Sequence, residues 1–230
     1  MEVSSREGAP ELRDVLATLD DRGCSFLVAG AAGGGSFDAV ARTLNGSPDL
    51  DRRRVVLALG TSGTGAALPD GVQPGDPTVR HVERSATRGT AAQSPASRGP
   101  LDADSLARLR AEVDDAVASL EPAGGYDPGD LRVTVRTLDP LLGDVRSGRL
   151  RRWTDALAGR VTDDAVNGRI AFFAHRPMDH PTLQSLHDAV DVRITVARRP
   201  GGLAHRWVVT TDAVPDREQP YRTDWLPLPA

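Results

Sequence analysis

Apolar positions along the chain follow two rhythms. Across residues 10–20, Leu12, Val15, Leu16 and Leu19 recur at helical spacing and give a short helix one buried face. Residues 25–30 (SFLVAG) form a continuous apolar run closed by glycine, the pattern of a strand buried on both sides. A glycine loop over 30–35 opens a second short helix at 37–44, and 54–59 (RVVLAL) is another buried strand. Residues 78–84 (TVRHVER) alternate and predict an edge strand.

The second half continues the alternation. Leu106, Leu109, Val113, Val117 and Leu120 keep helical spacing, and Asp102 or Asp104 is placed to cap that helix. Residues 131–138 (LRVTVRTL) predict a strand, and 147–163 a helix whose stripe is Leu150, Trp153, Leu157 and Val161. A strand at 169–175, a short helix at 181–190 and strands at 192–198 and 205–211 follow. The last two are joined through RRPGG, a turn sequence that implies a hairpin. In the tail, Trp225 and Leu226 are placed to dock on the domain. Strands alternating with helices predict an α/β fold in three layers, with a mostly parallel sheet and a C-terminal antiparallel hairpin. One domain spans 1–230, interrupted by a Gly/Pro/Ser-rich loop at 85–100.

Composition narrows the chemistry. All 28 basic residues are arginine, and of the 32 acids 25 are Asp and 7 Glu. A chain without lysine forms no Schiff base and lacks the usual ammonium for a nucleotide's phosphates. Asp over Glu and Arg over Lys is the bias of GC-rich, salt-adapted organisms. Cys24 is the single cysteine, which excludes an internal disulfide framework and multi-cysteine metal sites. No apolar run reaches the roughly 18–20 residues of a membrane helix. The first thirty residues hold early acids and no signal-type stretch, which points to the cytoplasm. A net charge of -4 gives no basic signature for nucleic acid.

The sharpest motif is Gly30-Ala31-Ala32-Gly33-Gly34-Gly35-Ser36-Phe37, between a strand and a helix. Free amides and the helix dipole attract anions at such a place. Against the phosphate-loop pattern GxxxxGK[ST], Gly30 and Gly35 match, but Ser36 stands for the lysine and Phe37 for the metal-binding hydroxyl. Against a dinucleotide fingerprint, Gly30, Gly33 and Gly35 give only GxxGxG, and no ribose-binding acid follows the second strand. Three readings stay open: glycines serving a tight turn alone, weak anion or nucleotide binding, and a dinucleotide or methyl-donor site.

The whole pattern resembles a RecA/KaiC-like ATPase domain. The residues that carry the likeness are the glycine-loop strand, Val133–Val135 with Leu138, Pro140, Leu141 and Leu142, then His175 and Asp179, and the run from Ala189 to Ile194. Arg206-Trp207 and the TDWLPL tail look like haloarchaeal HTR-like proteins, degenerate relatives of that fold. The resemblance implies a Walker B aspartate where Arg136 stands and a serine where Thr137 stands. It also implies a catalytic glutamate after the second strand, where the chain reads Gly60-Thr61-Ser62-Gly63. Losing lysine, hydroxyl, aspartate and glutamate removes several kcal/mol of transition-state binding per element. Asp139 lies three residues beyond the strand end as a weak substitute.

His175, Asp179, His180 and His187 form a loose group whose simpler reading is a strand end and a helix start rather than a metal site. No GxSxG hydrolase motif surrounds Ser62. Arg146, Arg149, Arg151 and Arg152 read as a solvated helix face, as do Arg198 and Arg199 at the hairpin tip, with partner binding as the alternative. The expectation is a non-catalytic regulatory or protein-interaction module, without cofactor or metal, acting through a protein partner or a second copy of itself. The alternative is a nucleotide- or anion-binding sensor, or weak ATPase. Its vestigial binding residues would be Gly30, Gly33, Gly34, Gly35, Ser36 and Arg136, with ATP the ligand.

Overall fold

The computed structural model describes residues 8–60, 65–84, 103–210 and 220–228. In chain order the elements are α1 (Gly8–Arg22), β1 (Cys24–Gly30), α2 (Gly34–Asn45), β2 (Arg53–Leu59) and β3 (Val79–Arg84). Next come α3 (Ala103–Leu120), β4 (Leu131–Val135), α4 (Asp139–Asp144), α5 (Ser147–Thr162), β5 (Arg169–Ala174) and α6 (Pro181–Gln184). The chain closes with β6 (Val192–Arg199), β7 (Gly202–Val209), β8 (Tyr221–Arg222) and β9 (Leu226–Pro227). Short 3-10 turns lie at Gly65–Ala67 and His187–Ala189.

The sheet runs β3-β2-β4-β5-β1-β6-β7-β8, with β9 also on β7. Every pair from β3 to β6 is parallel, and β6–β7 is an antiparallel hairpin. The fold is therefore α/β, and its buried strands match the continuous apolar runs of the sequence. Alternate side chains of β1 serve two cores: Leu27 and Ala29 join the cluster under α3, α4 and α5, while Phe26 and Val28 join the one under α1 and α2. Those are the outer layers of a three-layer sandwich.

Several boundaries differ from the sequence pattern. The strand expected at 131–138 ends at Val135. Beyond it Leu138 N bonds Phe173 O, and Pro140 helps start α4, which hydrophobic spacing did not reveal. The helix expected at 181–190 splits into α6 and the His187–Ala189 turn, since Leu183, Leu186 and Val190 can face the core from either arrangement. β7 begins at Gly202 rather than residue 205, because Gly202 (φ 117°) takes the turn conformation directly after Pro200-Gly201. The 85–100 loop lies outside the described residues, as do Asp102 and residues 61–64.

Three buried arginines line the amino edge of the sheet. Arg54 donates to the carbonyls of Asn45, Arg52 and Ser47, which fastens the loop after α2. Arg132 and Arg169, side by side in register, both pair with the Asp20 carboxylate near the end of α1. Cys24 lies beside Arg169, yet burial pushes its thiol up to about 12, so it is an inert core residue. At the opposite end of the sheet, Trp207 Nε1 donates to His205 Nδ1 at 2.9 Å. Burial lowers His205 to about 4, which keeps the ring neutral and able to accept that bond.

Candidate functional site at the carboxyl edge

Neighbouring strands β1 and β5 send their connections to opposite faces of the sheet. β1 leads into α2, whose Phe37, Val40 and Leu44 pack in one core; β5 leads to Leu183 and Leu186 in the other. A parallel sheet opens a crevice where this happens, outside the carboxyl ends of the strands. The glycine loop, Arg136, Asp139 and His175 all stand at that edge.

Gly30 is the last residue of β1 and pairs with Val196 of β6. A Cβ at Gly30 would sit 1.9 Å from the Val196 carbonyl oxygen, so the neighbouring backbone demands glycine there. Gly33 and Gly35 differ: a Cβ at either meets nothing within 4 Å, and neither has a positive φ. The strand-to-helix turn therefore does not need them for its conformation. Gly33 caps α2 without a side-chain bond, and Gly34 and Gly35 form its first turn. No acid occupies that turn. Ser36 and Phe37 are buried, and the Phe37 ring packs against Phe173 and against His175, with centroids 6.4 and 4.5 Å apart. Phe37, at the place where the phosphate-loop pattern would have a hydroxyl, is thus a core phenyl ring.

Arg136 stands just past β4, its amide bonded to Leu57 O at 2.8 Å. Its guanidinium reaches α2 and pairs with Asp38, Nη1 to Oδ1, at 2.6 Å. The two side chains are only 10% and 22% exposed, so the contact is largely desolvated. Arg136 Nε is buried without a hydrogen-bond partner. The fold thus brings Arg136 next to the helix opened by the glycine loop, and the cation is already neutralised by that helix's own carboxylate.

Asp139, read from the sequence only as a weak substitute acid, is the hub of the edge. Its Oδ2 accepts from Thr137 Oγ1 (2.6 Å), the His175 amide (2.8 Å) and His175 Nδ1 (3.0 Å). Its Oδ1 pairs with Arg176 Nε at 3.2 Å. Burial pushes this carboxyl up, but the bonds from His175 and Thr137 outweigh it and hold the group well below the usual carboxylate range. Asp139 thereby ties the end of β4 to the end of β5. Sequence distance hid this, because 36 residues separate it from His175. The one local signal was a Thr-x-Asp turn before proline.

A depressed carboxyl contributes stability that is present above its unfolded pKa of about 4 and is lost as pH falls through the folded value. Asp139→Asn should destabilise by about 1–2 kcal/mol near pH 7, a figure kept low by the solvent that reaches the carboxylate. The gap between variant and parent should narrow below about pH 4. Urea midpoints at pH 7 and pH 3 measure it, and an equal gap at both would contradict the hub.

The other histidines do not gather. His175 belongs to Asp139, and His180 stands at the start of α6 with Pro181 following. His187 lies in its own turn, lowered by burial and Arg193. Among the described residues no group of three or more His, Cys, Asp or Glu side chains is arranged to hold a metal. No described helix is long and apolar enough to cross a membrane. Sizeable concavities lie away from the carboxyl edge. One of about 610 Å³ includes Ser25, His187 and Arg193, and one of about 450 Å³ runs between α3 and α5 beside Trp153.

A family model covers residues 23–196, from the turn before β1 into β6, and so takes in the glycine loop, Arg136, Asp139 and His175. The chain belongs to DUF7504, a family of unknown function. No curated protein matches it. The DUF7504 match stops short of β7, β8 and β9, so the second strand of the hairpin and Trp225 lie beyond it.

Proposed function

We propose that this DUF7504 chain is a non-catalytic regulatory or protein-interaction module, descended from a RecA/KaiC-like ATPase and acting in the cytoplasm. The observation that carries the reading is the Arg136–Asp38 pair. Where the resemblance implies a magnesium-holding acid, a guanidinium stands, and its charge is spent on α2 rather than offered to a phosphate. Phe37 in place of the hydroxyl and Ser36 in place of the lysine support the same conclusion. With those groups gone, phosphoryl transfer lacks both its metal and its charge stabilisation.

One observation favours a second reading, a nucleotide- or anion-binding sensor. The first turn of α2 has no acid and no side-chain cap; the Ser36 amide bonds back to the Gly33 carbonyl, which leaves the Gly34 and Gly35 amides as the candidate anion donors. Titration with ATP and ADP, with and without magnesium, separates the two. A nucleotide at about 100 times its Kd stabilises a native state by about 2.7 kcal/mol. For a domain of this size that raises Tm by roughly 5–10 °C. A non-catalytic module should shift by less than about 1 °C and release no phosphate. A rise of several degrees transfers the function to the glycine loop, and magnesium-dependent phosphate release ends the non-catalytic reading.

A further inference from the structure

The hairpin β6–β7 has one face in the core, and on its other face Arg193 borders a concavity shared with α5 and the His187–Ala189 turn. Val192, Ile194 and Val196 of β6 and Trp207 and Val209 of β7 point into the core shared with α1 and α2. Side chains alternate along a strand, and directly opposed residues share a face. The opposite face therefore carries Arg193, Val208 and Arg222 in one row, Thr195 and Arg206 in the next, and Arg199 towards the tip. Trp225 lies over this face, with the guanidinium carbons of Arg199 and Arg206 at 4.9 and 5.1 Å from its ring centroid.

Four arginines are thus gathered on one sheet face of a chain whose net charge is -4. None of the four has a carboxylate within ion-pair distance among the described residues. Arg193 is lowered by burial and by the like charge of Arg222, with Asp188 the one acid opposing this. Arg193 Nε and Arg206 Nε are buried without a hydrogen-bond partner. Like charges held together and left unsatisfied oppose folding, and their natural complement is an anion with several carboxylates.

We infer that this face docks an extended acidic segment of a protein partner, one carrying aspartate or glutamate at alternate positions. The spacing is the reason for an extended peptide. Rows on the face repeat every second residue, about 7 Å apart, which is the repeat of same-side carboxylates along a β-strand. Trp225 favours peptide over nucleic acid, because arginines already stack on the ring that a base would need. The inference gives the interaction reading a surface and rests on it, yet its test is separate from the nucleotide titration.

The probe is a fluorescein-labelled ten-residue peptide of alternating Asp and Ala, read by anisotropy against the full chain. Scrambled-charge (Lys–Ala) peptide and a dT oligonucleotide serve as comparisons. The acidic peptide should bind, weakening roughly tenfold as salt rises from about 0.05 to 0.5 M. Arg206→Gln with Arg222→Gln should weaken it by about tenfold or more, while Arg151→Gln on α5 should leave it unchanged. Arg222→Gln alone, at an exposed position, should weaken it by a few-fold and keeps the test valid if the double variant unfolds. No binding, tighter binding of the oligonucleotide, or equal binding by the Arg222 variant overturns the inference. Absence of both peptide and nucleotide binding removes the surface and leaves the module reading standing; phosphate release does the reverse.

Discussion

Gly30→Ala should abolish the folded state or leave it so weak that little soluble protein is recovered. The methyl group would overlap the Val196 carbonyl oxygen, at 1.9 Å, at the carboxyl end of the β1–β6 pairing. Backbone cannot give way as a flexible side chain does, so relief requires breaking the pair. The cost should exceed about 4 kcal/mol, the range reserved for severe steric or buried-charge defects. Gly33→Ala should stay within about 0.5 kcal/mol of the parent, and Gly35→Ala should be neutral or up to about 1 kcal/mol stabilising, as alanine replaces glycine in a first helical turn. Urea unfolding of the three variants is the measurement. If Gly30→Ala unfolds at the parent's midpoint, β6 does not approach β1 as described.

Asp20→Asn should cost about 3–5 kcal/mol, because one carboxylate answers for two buried guanidiniums. Arg132 is 1% and Arg169 7% exposed at the side chain, and the Nε of each lacks a hydrogen-bond partner. An asparagine keeps the size but leaves two cations with no counter-charge. Asp21→Asn, on the exposed next position, should change stability by no more than about 0.5 kcal/mol. Chemical denaturation at neutral pH compares them, and equal midpoints for the two variants would remove Asp20 from its role.

The elements were legible because burial writes itself into the local pattern. The runs SFLVAG, RVVLAL and RIAFFA became β1, β2 and β5, and the RRPGG turn became the β6–β7 hairpin. The alternating TVRHVER became the edge strand β3. Arg151 and Arg152 are exposed, as the charge spacing on α5 implied. What was missed was short or non-local. α4 has six residues, too few to show a helical period, and its start is set by Asp139 and Pro140. The role of the loop glycines also changed: conformation does not require Gly33 or Gly35, whereas β6, 166 residues on, requires Gly30.

The absence of lysine, the buried strands and the mismatch of Ser36 and Phe37 with the phosphate-loop pattern are properties of residue type and spacing, so the sequence alone determined them. Whether Arg136 faces a ligand or an internal partner depends on which helix crosses β4 at that height, and only the packing of α2 could place Asp38 there. The same holds for Asp139 with His175 and for the four arginines of the hairpin face. Hydrophobic periodicity is a local free-energy signal, repeated every few residues. Charge pairing is decided by distances across strands that meet only once the sheet has formed, and no period in the chain records it.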